Sequence, residues 1–401
     1  MKLKEYRLGD LMEVSRGASL AGEYYANNGK YLRITLGNFN YKEGGFKEDK
    51  QKDDLYYIGD IESRFIFHKG DILTPLTEQA LGLLGSTIRI PEDDKYIQSQ
   101  DVALLKCNED LLDNDFCYYL IPSKMVRQQL SAAAQQTSIR HTSPDKIKAC
   151  KVFIPELAEQ KKIAKSLRLL EDKIYLNKQI NRNLEALARQ LYDYWFVQFE
   201  FPDENGKPYK SSGGEMVWNE QLKLIIPKGW RYFTIDKLAD VVTGKEDANF
   251  SVSNGKYPFF TCSRDVLKCD IPAFIGKAIL ISGNGDFNVK HYNGAFNAYQ
   301  RTYVLIPNDV RFYGVVFFAA LDKLASFRAK SNGSIIKFIT KGDIESIGVF
   351  DCSNNKLYNQ INALIEQIEN FYKETEFLSK LREELLPLLM NGQVNSDLSA
   401  D

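Results

Sequence analysis

The sequence predicts an α+β protein built as two tandem α+β domains, each followed by a long helix. Three observations predict it. The chain repeats itself from end to end, each copy closes on a long three-four apolar stripe, and the segments ahead of those stripes break into short strand-like runs between Gly and Asn turns. The boundaries follow: a first domain over 1–155, its helix over 156–198 and a linker over 199–226. A second domain spans 227–352, its helix 353–392, and 393–401 form a tail.

The repeat begins at Tyr6–Gly17, where Leu8, Leu11, Val14 and Gly17 are echoed by Ile235, Leu238, Val241 and Gly244 at an offset of 227. Ile72-Leu73 matches Ile279-Leu280 at 207, Gln100 and Leu105 match Gln300 and Leu305 at 200, and Ser138-Ile139 matches Ser334-Ile335 at 196. A steadily falling offset is what two divergent copies give when the second has shorter loops. Chance matches would scatter.

Strands are expected at Tyr31-Leu32-Arg33-Ile34, Ser86–Ile90, Ala278–Ile281 and Arg301–Ile306, and short helices around Asp115–Leu130 and Tyr313–Phe327. In the last repeated segment the register runs without a gap from Ile163 and Leu357 to Leu191 and Leu385 at an offset of 194. The first stripe reads Ile163, Leu167, Leu170, Ile174, Asn177, Asn181, Leu184, Ala188, Leu191 and Trp195. The second reads Leu357, Ile361, Leu364, Ile368, Phe371, Thr375, Leu378, Arg382, Leu385 and Leu389. Such spacing over ~30 residues is a coiled-coil seam, and a polar Asn or Thr in it fixes register at some cost in stability. Pro155 with Glu156 and Glu159 marks the first helix's start, and Gly392 the second's end. Between the halves, Phe201–Gly214 is polar and turn-rich.

Composition excludes more than it selects. No run approaches ~18 apolar residues, and Met-Lys-Leu-Lys-Glu-Tyr-Arg lacks a signal peptide's apolar core, so a cytoplasmic protein without a membrane span is expected. Six cysteines form no C-x-x-C pair and three histidines lie far apart, so neither a metal nor a cofactor is expected. A net charge of −1 leaves nucleic acid open, since a DNA binder needs only one basic face.

Several segments resemble the specificity subunits of Type I restriction-modification systems. They are Ile154–Ile163, Leu187–Phe196, the linker Asn205–Met216 and the end Leu385–Gly392, and the resemblance covers nearly the whole chain. The second copy departs by carrying Phe350-Asp351-Cys352-Ser353-Asn354-Asn355 where a Pro-containing helix entry is common, which puts that helix's start in question. The resemblance implies an antiparallel pair of helices holding two target-recognition domains. Each domain would read half of a bipartite double-stranded DNA site. Two methyltransferase subunits would dock on the helices, with restriction subunits joining through them. Catalysis and the methyl donor would belong to those partners, which methylate adenine, and the chain itself would not be an enzyme. Two similar readers on a rigid spacer would fix half-site separation.

Base edges are read by Asn, Gln, Arg and Lys, and phosphates are held mainly by Arg, Lys and backbone N–H groups. The candidates in the first domain are therefore Thr77, Gln79, Gln98, Gln100, Gln135, Gln136 and Arg140. In the second they are Asn284, Asn288, Lys290, Asn297, Gln300, Arg301, Lys330 and Asn332. Any one of these could equally be a solvated turn; together they mark loops. The seam residues Ile163, Leu167, Leu170, Ile174, Leu184, Leu191, Leu357, Ile361, Leu364, Ile368, Leu378 and Leu385 are expected in a helical core. Two other classes compete. Asp145 with Glu159 and Lys161 superficially matches a metal-dependent nuclease, although Glu159 and Lys161 fall in a helix opening where alternate positions do not share a face. A structural coiled coil would explain the helices but not two duplicated, loop-rich domains. An adenine methyltransferase would need a Gly-rich donor loop and an Asn/Asp-Pro-Pro-Tyr/Phe motif, and the chain has neither.

Overall fold

A computed structural model describes residues 2–41, 44–47, 55–78, 80, 82–133, 140–220, 222–285, 287–330 and 338–393, with 327–330 described by backbone alone. The chain divides into two units, Met1–Tyr175 with Phe377–Asp401, and Leu176–Glu376.

In the first unit a four-stranded antiparallel sheet runs in the order Met12–Arg16, Val102–Cys107, Ile72–Pro75, Ile88–Arg89. A second sheet orders Tyr25–Ala26, Tyr56–Tyr57, Tyr31–Arg33 and Tyr96–Ile97, its last pair parallel. In the other unit six strands form one sheet, in the order Ala239–Thr243, Thr302–Pro307, Phe274–Ser282, Val289–Ala298, Tyr257–Phe260, Leu267–Cys269. It too contains one parallel pair, Phe259 and Phe260 against Asn297 and Ala298.

The repeat proposed from sequence is a repeat of hydrogen-bond register. Leu105 pairs with Val14 on one side and Ile72 on the other; Leu305 pairs with Val241 and Ile279. These are the residues matched at offsets of 227, 200 and 207, so three independent shifts resolve into one ladder. The Leu8 N–H donates to the Cys150 carbonyl at 2.9 Å and the Ile235 N–H to Ile347 at 3.0 Å. Short helices precede the last strand of each unit, capped by Ser143 and Thr340.

Two segments differ from expectation. The helix around Asp115–Leu130 is two helices, Asn114–Leu120 and Lys124–Ala133, interrupted at Pro122, which lacks the N–H a continuous helix needs. The linker ends in structure, because Met216–Asn219 and Leu224–Pro227 pair as a hairpin. Ahead of it, Phe201 makes stacked contacts with Trp195, Tyr209 and Trp230.

The long helices span Leu157–Tyr192 and Asn355–Met390. Within the first unit Ile163, Ala164 and Leu167 share a core with Leu389 and Met390, and Glu171 faces Arg382 at 3.8 Å. Within the second, Ala188 and Tyr192 share a core with Leu357, Tyr358 and Ile361. There the Asn177 amide donates to Glu374 at 2.8 Å and that of Asn181 to the Ile368 carbonyl at 3.3 Å. Rising numbers on one helix meet falling numbers on the other, so the pairing is antiparallel. Ile174 and Ile368 are buried; Leu170, Leu184, Leu191, Leu364, Leu378 and Leu385 are half-buried.

The second helix begins without proline because Asn354 supplies the cap, its side chain accepting the Leu357 N–H at 3.1 Å. Gln160 lies in the equivalent position of the first helix, buried, bonding the Leu111 and Pro155 carbonyls and the Asp113 N–H. Gly392 ends the second helix at φ +67°, the left-handed conformation that suits glycine. No helix of the described residues is long and apolar enough to cross a membrane.

Candidate nucleic-acid interface

Three chain segments meet at one place in the first unit, and their equivalents meet in the second. The Leu76 N–H donates to the Asp101 carbonyl at 2.8 Å, and the Thr142 N–H to the Leu76 carbonyl at 2.9 Å. In the second unit the Gly283 N–H donates to the Arg301 carbonyl at 2.9 Å, and the Ile339 N–H to the Gly283 carbonyl at 2.8 Å. Beside each pair lies a β-bridge, Thr77 with His141 and Asn284 with Phe338. The offsets within this junction, 207, 200 and 197, continue the series of the sheets. Loops that are far apart in sequence are thus tied together at their bases.

Only some of the predicted contacts lie on the surface of that junction. Thr77 sits on the first bridge, its hydroxyl 3.4 Å from His141 Nδ1. Gln100 is exposed in the turn whose carbonyl accepts from Arg16 Nε at 2.8 Å, and Gln300 and Arg301 are exposed in the equivalent turn. Asn284 is half-buried on the second bridge. Arg140 is partly exposed and anchored, donating to Ser131 Oγ at 3.0 Å and lying 3.6 Å from the buried Glu78. Glu78 Oε1 also accepts the Gly82 N–H at 2.9 Å, so this carboxylate anchors Gly82. Burial pushes the nearby Arg127 guanidinium below its usual range, with Glu78 opposing the shift.

Four other predicted residues hydrogen-bond to neighbouring backbone. Gln98 is buried and its amide donates to the Ser15 and Val102 carbonyls. Asn297, also buried, donates to the Ile271 carbonyl at 3.0 Å and accepts the Ala298 N–H at 2.8 Å. Asn288 and Lys290 donate to carbonyls of Thr261, Cys262 and Ser263 and so brace that neighbouring turn. A buried amide engaged by backbone is the same residue type as a base reader, and sequence alone does not separate the two. Gln79, Gln135, Gln136 and Asn332 lie outside the described residues, as does the side chain of Lys330.

Sequence reasoning did not single out His141 or Phe338, because the offset of 196 that relates Ser138 to Ser334 falls one residue short of the 197 that pairs them. Phe338 is 71% exposed. Asp145 pairs with Lys148 at 2.8 Å and Glu159 lies 3.9 Å from Lys162, so each carboxylate has its own neighbour on its own helix. Among the described residues no three His, Cys, Asp or Glu side chains are grouped to hold a metal.

A family model described as the Type I restriction modification DNA specificity domain matches residues 2–186 and 227–350. The chain is 33% identical over 179 residues to the Type I restriction enzyme EcoDI specificity subunit of Escherichia coli, a match covering 43% of this chain and 40% of that protein. It is 24% identical over 427 residues to the Type I restriction enzyme MjaIX specificity subunit of Methanocaldococcus jannaschii, covering 98% and 89%. Among solved structures, the S subunit of a Type-I restriction-modification system from M. genitalium has the same fold, with a TM-score of 0.64 at 18% identity over 97% of this chain and 96% of that one.

Proposed function

Because the chain belongs to the Type I restriction-modification DNA specificity family, we propose that it is the subunit that reads DNA for such a complex and performs no catalysis itself. Each unit reads one half of a bipartite site in double-stranded DNA. The paired helices dock two methyltransferase subunits, and restriction subunits join through these. The methyl donor and the reacting adenine are then handled by the partners.

The observation that best supports this reading is the duplicated three-segment junction. Two equivalent platforms present different side chains: Thr77, Gln100 and His141 on one, Asn284, Gln300, Arg301 and Phe338 on the other. A shared framework with divergent surface residues suits two readers of different sequences, since bases are distinguished by the groups that reach their edges. The antiparallel helices offer one pair of segments to each unit, which supports one partner per unit.

Native mass measurement on the chain co-expressed with its methyltransferase should give one copy of this chain and two of the partner. A one-to-one complex at saturating partner would overturn the docking arrangement. With methyl donor or divalent metal added, the chain alone should neither methylate nor cut DNA; cleavage abolished by Asp145→Ala would revive a nuclease.

A further inference from the structure

We propose that Phe338 is a specificity-determining residue whose ring contacts a thymine methyl in the major groove, next to Asn284. This rests on the DNA-reading function above and names what one half-site must contain. Phe338 is 71% exposed on a bridge to Asn284 and is in none of the hydrophobic cores of the described residues. Water meets most of an apolar side chain there, and covering it would be favourable.

The bridge decides the neighbour. Residues directly opposed across antiparallel backbone project to one face with Cβ atoms about 5 Å apart. The Asn284 amide and the Phe338 ring are therefore side by side. The equivalent pair in the first unit demonstrates the geometry, with the Thr77 hydroxyl and His141 ring 3.4 Å apart. An amide beside an apolar ring is complementary to an adenine–thymine pair in the major groove. Asparagine can bond adenine N6 and N7 together, and the ring can cover the thymine C5 methyl. Thr77 with His141 offers a hydroxyl, an imidazole and one small methyl in place of an amide beside an exposed phenyl ring, so the proposed combination belongs to the second unit.

The second junction is built to hold that pair in place. The Ile339 N–H and carbonyl are both engaged, the latter by the Tyr303 hydroxyl at 3.0 Å. Gly283 approaches the Arg301 backbone so closely that an added Cβ would lie 2.6 Å from the Arg301 carbonyl oxygen.

The test uses the full chain with its methyltransferase partner and a duplex carrying the site selected by that complex. Thymines are replaced one at a time by uracil, which removes only the methyl group. The expectation is that uracil at one position of one half-site weakens wild-type binding about fourfold, the worth of one buried methyl group. The Phe338→Ala complex should bind more weakly than wild type and ignore that same replacement. Phe338→Leu should restore part of the sensitivity. Equal binding by wild type and Phe338→Ala overturns the contact, as does weaker binding by the variant with every uracil still felt. A half-site without thymine also overturns it. Failure of the wild-type complex to select any bipartite sequence would instead remove the reading function, and this contact with it.

Discussion

Asp351 shows how a buried carboxylate braces a helix entry that lacks the expected proline. Its carboxylate is fully buried and accepts the Tyr358 hydroxyl and the Ser353 N–H, both at 2.7 Å, while Arg231 pairs with it from the strand alongside. Burial alone would raise its pKa, but the bonds from Tyr358, Ser353 and Arg231 outweigh burial and hold it below the ordinary 3.8. A carboxylate with a depressed folded pKa contributes stability that is full above the unfolded value and lost as pH falls through the folded one. Asp351→Asn should cost roughly 1–3 kcal/mol at neutral pH, the worth of hydrogen bonds to a charged group. That gap should close as pH falls below about 3.8. Denaturant unfolding from pH 7 to pH 3 measures it, and a gap that stays constant would contradict the assignment. The sequence marks Phe350–Asn355 as a departure but hides its chemistry, because the cap comes from Asn354 and the anchor from Tyr358, a later turn.

At the scale of elements, the ladders explain why so much of the fold is legible. Val14, Leu105 and Ile72 occupy one row across three strands, and Val241, Leu305 and Ile279 the corresponding row, so a shared apolar face preserves the match while loops change length. Gly17 and Gly244 are matched for a different reason, the close approach of the backbone before the central strand. An added Cβ would stand 2.3 Å from the Ser99 carbonyl oxygen in one unit and 1.9 Å from that of Ala298 in the other. Gly244→Ala should therefore destabilise the protein by about 1–3 kcal/mol through overpacking, read as a lowered unfolding midpoint. An unchanged midpoint would mean the approach is looser than described. The junctions are less legible than the sheets. They depend on backbone bonds such as Gly283 to Arg301 that carry no side-chain signature, and they draw Gln98 and Asn297 inward while leaving Phe338 outside.

For the whole molecule, the central claim is that two equivalent junctions read two halves of one DNA site independently. The measurement that tests it most directly is site selection from a random DNA pool by the chain with its methyltransferase partner. Wild type would be compared with two variants, Thr77→Ala/Gln100→Ala and Asn284→Ala/Arg301→Ala. All four side chains lie at a junction surface, and removing a good bidentate base contact costs about 1–3 kcal/mol of discrimination, roughly 5- to 150-fold. The account predicts that each variant relaxes base preference in one half-site, a different half for each, with the other half and the gap between them unchanged. Relaxation of both halves by either variant, or of the same half by both, would contradict it.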